Sequence, residues 1–242
     1  MRTLENDKQI RRVRHELRFR TLKVLRKEQI TPNFMQVVVG GPDLEGFTSL
    51  SFDDHIKIML SDVNGNEIRR DYTPRQYNAE KQELVLEFAI HDGGNASNWS
   101  QQVAIGDSVV IGGPRGSMII PDDFAAHVLI GDMTALPAFH RRIEELPATA
   151  KITVIVKIES AEDQREFVGR DVTAIWVQTD EALLAAVQSI SVVSDSYYWC
   201  AGENSLMHQT KSILVEEKAV SPKSMSVGSY WKKGVSDFHE HH

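Results

Sequence analysis

The chain has 242 residues, 41% hydrophobic and 25% charged, with a formal net charge of −7; this is length and apolar material for two small domains, and it excludes a wholly disordered chain. A single cysteine, Cys200, excludes an intrachain disulfide and any cysteine cluster for zinc or an iron–sulfur centre, so redox chemistry would have to come from a bound organic cofactor. No apolar run approaches the ~18 residues that span a bilayer, and the charged first thirty residues hold no stretch of signal-peptide type, so a cytoplasmic protein without a membrane partner is expected.

Residues 1–27 carry ten Lys/Arg against three acids, which leaves −14 on the remainder. A basic arm can grip nucleic acid, but an acidic remainder repels polyphosphate, so no nucleic-acid partner is expected. Leu17, Phe19, Thr21 and Val24 instead read as the start of a strand among solvated Arg and Lys. From residue 17 to 121 apolar positions alternate, as in Ile56, Ile58 and Leu60 or Leu84, Leu86, Phe88 and Ile90. Turn signals such as Asn64-Gly65-Asn66 and Gly112-Gly113-Pro114 punctuate them, which predicts an N-terminal antiparallel β-barrel, closed, over 1–121. After Pro121 the pattern turns to short unbroken apolar strands at 127–130, 152–158, 172–177 and 197–201. Helical stretches at 135–146, 181–189 and 204–217 separate most of them, which predicts an α/β domain with a doubly wound parallel sheet over 122–234. The tail 235–242, with His239, His241 and His242, is expected to be disordered and to hold no metal.

Three segments carry possible chemistry. In Arg70-Asp71-Tyr72-Thr73-Pro74-Arg75, strand alternation puts Arg70 and Tyr72 on one face. A Tyr ring can cover a flat flavin, Thr can hydrogen-bond its edge, and an Arg fork can clamp a diphosphate; the plain alternative is a surface strand with stray charges. In His91-Asp92-Gly93-Gly94-Asn95-Ala96-Ser97-Asn98-Trp99, a glycine-rich turn precedes a short helix whose free amides suit a phosphate, unless Trp99 merely plugs the core. Gly131-Asp132-Met133-Thr134-Ala135-Leu136-Pro137 follows the first α/β strand, where doubly wound domains bind dinucleotides, although the G-x-G-x-x-G fingerprint is absent.

Taken in order, these segments resemble the siderophore-interacting protein family, ferric-chelate reductases of the ferredoxin-reductase superfamily. The most specific matches are Arg70-x-Tyr72-Thr73-x-Arg75, Ala96-Ser97-x-Trp99, Gly113-Pro114-Arg115-Gly116-Ser117, Gly131-Asp132-x-Thr134-Ala135-Leu136-Pro137, Ala201-Gly202-Glu203 and Tyr230-Trp231-Lys232-x-Gly234. The resemblance implies an FAD-binding barrel followed by a nicotinamide-binding domain for NADPH or NADH. It puts Arg70, Tyr72 and Thr73 on the flavin, Arg75 near its phosphates, and Ala96 and Ser97 at the diphosphate, with His91 and Trp99 also among the cofactor-binding residues. Gly131, Asp132, Thr134, Ala201, Gly202 and Glu203 would line the nicotinamide crevice, with Thr134 nearest the nicotinamide, and Tyr230 and Trp231 would lie close to the flavin. The family usually has Glu in place of Met133, Pro in place of Asn95, and Arg in place of Lys211 and Lys232; Lys keeps the charge but loses the bidentate fork.

Under this reading the substrate is a ferric siderophore. Its hard oxygen donors hold Fe(II) far less well than Fe(III), so one-electron reduction releases the metal and no side chain need act as acid or base. Ferric tris-catecholates are anionic, and Lys211, Lys232 and Lys233 are the candidate positive rim. Lys157, Ser160 and Arg165 favour the 2′-phosphate of NADPH, whereas Glu159 favours the ribose of NADH. A ferredoxin stands as an alternative electron donor, and a monomer is expected. The competing readings are a general NAD(P)H:flavin or ferredoxin-type reductase and a siderophore-binding protein without turnover.

Overall fold

The computed structural model describes residues 8–62, 64–91 and 93–235. The tail histidines His239, His241 and His242 lie outside the described residues.

The chain enters through a short strand, β1 (Arg11–Arg14), ahead of the predicted first strand. The alternating half then forms β2 (Phe19–Thr31), β3 (Phe34–Gly40), β4 (Ile56–Ser61), β5 (Glu67–Tyr72), β6 (Gln76–Asn78), β7 (Glu83–Ala89) and β8 (Ser108–Gly112). Their antiparallel sheet has the order β5-β4-β8-β2-β3-β7-β6. The edge strands β5 and β6 are joined by Thr73–Arg75 alone, a link that spans at most ~14 Å, so the sheet curls back on itself. The expected closure is therefore made by the chain and not by a ladder between the edges. The start of β2 also differs from expectation: Leu17 precedes the strand, Phe19 and Thr21 face solvent, and Arg20 shares the buried face with Leu22 and Val24. Arg20 is tolerated there because its guanidinium lies 5.4 Å from the Phe47 ring centre. The helix α1 (Asn95–Gln102) packs on β3, β4 and β7, with Trp99 against Phe88 at 5.4 Å between ring centres. The strand β9 (Gly116–Ile119) pairs with β1 as a separate ribbon.

Five parallel strands follow: β10 (Ala126–Asp132), β11 (Lys151–Lys157), β12 (Val172–Val177), β13 (Ser196–Glu203) and β14 (Met225–Trp231), in the order β12-β11-β10-β13-β14. Four of them match the unbroken apolar runs; β14 was not foreseen, because Ser226, Gly228 and Ser229 break its apolar pattern. The helices are α2 (Leu136–Glu145), α3 (Asp180–Ser189) and α4 (Asn204–Ser212), the last prolonged by a π turn at Ile213–Glu217. α2 buries Leu136, Phe139 and Ile143 on one face, as their spacing predicts. Order reverses between β10 and β13, so the crevice at their carboxyl ends is the topological switch point of the sheet.

One apolar cluster joins the halves: Phe34 and Phe52 from the barrel pack with Phe139 and Trp199 from the α/β side. Trp199 meets Phe52 and Phe139 edge-on at 5.2 and 5.8 Å, and its Nε1 donates to Asp53 at 2.9 Å. Truncating such a side chain to Ala costs about 3–5 kcal/mol.

Candidate active site

The barrel contributes the end of β5. Arg70 and Tyr72 share a face opposite Ile58 and Ile56, as alternation requires. The Tyr72 ring lies 4.3 Å from Phe88, and burial pushes its phenol well above the usual range, so it stays neutral. Thr73 is buried, and its side chain lies close to the hydroxyl of Tyr230, delivered by β14 from the other half. This contact brings the Tyr72-Thr73 and Tyr230-Trp231 motifs together across 157 residues of sequence.

At the switch point Asp132 is a hub. It is 1% exposed, and its Oδ1 accepts from the Thr134 backbone N–H at 2.9 Å and hydroxyl at 2.5 Å, while Oδ2 accepts from the Glu203 N–H at 2.7 Å and Trp231 Nε1 at 2.9 Å. Gly131 and Gly202 make room: a Cβ on Gly131 would lie 2.1 Å from the Ala201 carbonyl, and one on Gly202 2.6 Å from Asp132. Glu203 caps α4 through the Leu206 N–H and accepts from the Lys233 backbone N–H at 3.2 Å. Gly131, Asp132, Thr134, Ala201, Gly202, Glu203 and Trp231 therefore do meet in one place. The carboxylate expected to face a cofactor is instead consumed by protein donors, and it caps the turn that begins α2, leaving no opening there for a phosphate.

The start of α1 is the opposite case. Gly94 offers no side-chain cap and the first turn has no acid, whereas Thr179 caps α3 and Glu203 caps α4. The Ser97 hydroxyl accepts from the His91 N–H at 3.0 Å, and the His91 ring lies where a Cβ on Gly94 would be, 2.4 Å from it. An uncapped helix start with the His91 ring folded over Gly94 fits a diphosphate. A groove of about 560 Å³ runs along this helix between Asn95, Asn98, Trp99 and Gln102 and the strand ends at Ser61 and Ser108.

Several expected residues stand elsewhere. Arg75 forms a two-pronged pair with Glu144 of α2, at 2.5 and 2.8 Å, and lies 3.5 Å from buried Glu87, so its charge is taken up between the halves and not beside phosphates. Arg165 donates to the other Glu87 oxygen at 2.9 Å, Lys157 to Asp180 at 2.6 Å, and Ser160 caps its own turn, so this trio forms no free 2′-phosphate cradle. Lys232 and Lys233 are exposed just past β14. Lys211 lies on the last turn of α4, about 10 Å along the helix from its start beside Ser229.

Sequence reasoning missed Asp53. Burial lifts its carboxyl to about 7, with Asp54 adding to the rise and Trp199 and Arg12 opposing it. It also missed Glu87, an outward position on β7 that the second domain covers, leaving it 5% exposed. Among the described residues no group of three or more His, Cys, Asp or Glu is placed to hold a metal, and no helix is long and apolar enough to cross a membrane.

An antiparallel barrel followed by a parallel sheet whose switch point faces it is the ferredoxin-reductase fold. A model of the siderophore-interacting protein matches residues 124–234, and one of the siderophore-interacting FAD-binding domain matches residues 23–69 and 62–118. The chain is 34% identical over 244 residues to the NADPH-dependent ferric-chelate reductase of Escherichia coli (strain K12), covering 91% of this chain and 95% of that protein. It is 26% identical over 253 residues to the ferric vibriobactin reductase ViuB of Vibrio cholerae, covering 91% and 93%. A siderophore utilization protein from T. fusca superposes with a TM-score of 0.89 at 29% identity, covering 97% of this chain and all of that one. The chain belongs to the siderophore-interacting protein family.

Proposed function

We propose that this protein is an FAD-containing ferric-siderophore reductase that draws electrons from NADPH or NADH and releases iron as Fe(II). The carrying observation is the junction itself: Thr73 of the barrel close to Tyr230 of the parallel sheet, whose neighbour Trp231 bonds Asp132 at the switch point, with an uncapped helix start on the same barrel. FAD, when bound, accepts an electron pair as hydride and passes electrons on singly.

In this reading Arg70, Tyr72 and Thr73 hold the flavin, Tyr72 as a neutral ring. The amides of Ala96 and Ser97 hold the diphosphate, His91 shapes that turn, and the groove past Trp99 takes the adenylate end. The nicotinamide enters over Thr134 and the Ala201–Glu203 segment. Gly131 and Asp132 serve it from behind, holding the crevice wall in shape, and Tyr230 and Trp231 close the flavin side. Lys232 and Lys233 gather the anionic chelate, with Lys211 as a third cation. The barrel would span 1–121 and the nicotinamide domain 122–234. NADPH is the favoured donor, supported by the name of the Escherichia coli relative, the cytoplasm is where that donor is at hand, and the protein is read as a monomer.

The test is the visible spectrum of the purified protein under anaerobic NADPH or NADH, then after a ferric catecholate with a ferrous trap. Bleaching by one nicotinamide followed by recovery as Fe(II) appears supports the reading and names the donor. A protein that stays colourless after incubation with FAD overturns it. Turnover on free flavin or ferredoxin in place of the chelate would favour the general reductase.

A further inference from the structure

The nicotinamide side and the flavin side sit on different domains, so something must set the distance between them. α2 touches both. Its first turn follows Thr134, and its later turns reach back to the barrel segment that carries Thr73. Arg141, about two turns on, donates to the Pro74 carbonyl and the Ser49 hydroxyl, each at 2.8 Å, and to the Ser49 carbonyl at 3.1 Å. Glu144, one turn further, takes the fork of Arg75. Arg75 and Arg165 converge on Glu87, whose side chain is 3% exposed, so the charges are held in the low-dielectric seam where their geometry is exacting. Pro74 and Arg75 directly follow the Tyr72-Thr73 pair, so a shift at the clamp is transmitted over one or two residues of backbone.

We infer that Arg141 and Glu144 are positioning residues for electron entry: they hold Tyr72 and Thr73 at a set distance from the Thr134 turn at the head of the same helix. This rests on the reductase reading. It assigns these side chains no contact with substrate or cofactor; they act on the first electron-transfer step because that step spans the seam, whereas delivery to the iron chelate depends on the flavin and its open approach.

The experiment uses the FAD-loaded protein with Arg141→Met and, since Glu144 is exposed enough to replace without unfolding, Glu144→Gln. Flavin content, Tm, the rate of flavin reduction by nicotinamide under rapid anaerobic mixing, and the rate of reoxidation of dithionite-reduced protein by a ferric chelate are measured separately. In the cofactor-free protein, amide exchange is followed over residues 72–78. The expected result for Arg141→Met is a tenfold or greater loss in reduction rate with reoxidation and flavin content within twofold, faster exchange over 72–78, and partial recovery in Arg141→Lys; Glu144→Gln gives the same split, smaller. Reduction rates within twofold of wild type in both variants overturn the inference. So does an equal loss in both half-reactions, which would mark a purely structural role. Wild-type flavin that neither nicotinamide bleaches would instead overturn the reductase reading beneath it.

Discussion

Asp53 is the residue whose protonation the fold alters most usefully. It accepts from the indole of Trp199, and removal from water holds its proton on to about pH 7. An unfolded Asp releases that proton near pH ~4, so the folded state binds the extra proton between the two values. The stabilisation is thus complete below pH ~4, declines as pH rises, and is gone above about 7. Asp53→Asn keeps an acceptor for Trp199 Nε1 and cannot ionise. Its unfolding free energy is expected to gain on wild type across that window, by up to ~1.4 kcal/mol per pH unit, and to run parallel to it below pH ~4; a constant difference in stability from thermal melts between pH ~4.5 and ~8 would contradict the assignment.

At the scale of elements, the contrast between helix starts organises the chemistry. Thr179 and Glu203 close the first amides of α3 and α4, and Asp132 closes the turn that leads into α2, whereas the start of α1 at Gly94 has no side-chain cap. The His91 ring lies over Gly94 at that opening. Gly94→Ala forces the ring aside, since 2.4 Å is far inside van der Waals contact. FAD affinity, followed by quenching of flavin fluorescence, is expected to fall tenfold or more with little change in Tm of the cofactor-free protein. Unchanged affinity would move the diphosphate away from α1.

For the whole molecule, charge decides how substrate arrives. A protein of net charge −7 repels an anionic chelate at long range, so a local positive rim must act within a Debye length. Lys232→Glu with Lys233→Glu is expected to raise KM for a ferric catecholate at least tenfold at low ionic strength, with the gap closing near 1 M salt, where screening acts over ~3 Å. Flavin content should not change. An unaltered KM at low salt would remove the rim from the account.

The division into two domains was legible because the two sheets demand different patterns: alternation where one face is buried, as in Leu84-x-Leu86-x-Phe88, and continuous apolar runs where both are, as at Ile152–Ile158. Local motifs also named the residues that converge, Tyr72 and Thr73 with Tyr230 and Trp231, and Asp132 with Glu203. What each charged group does there came only from tertiary structure. Arg75 looks the same in sequence whether it grips a phosphate or Glu144, Asp132 whether it faces a ligand or four protein donors, and Glu87 reads as a solvated strand residue until a second domain covers it. Periodicity reports which face of an element is apolar and so determined the fold. The partner of a charge lies 69 or 78 residues away in the chain, and only the docking of one domain on the other decides which partner it finds.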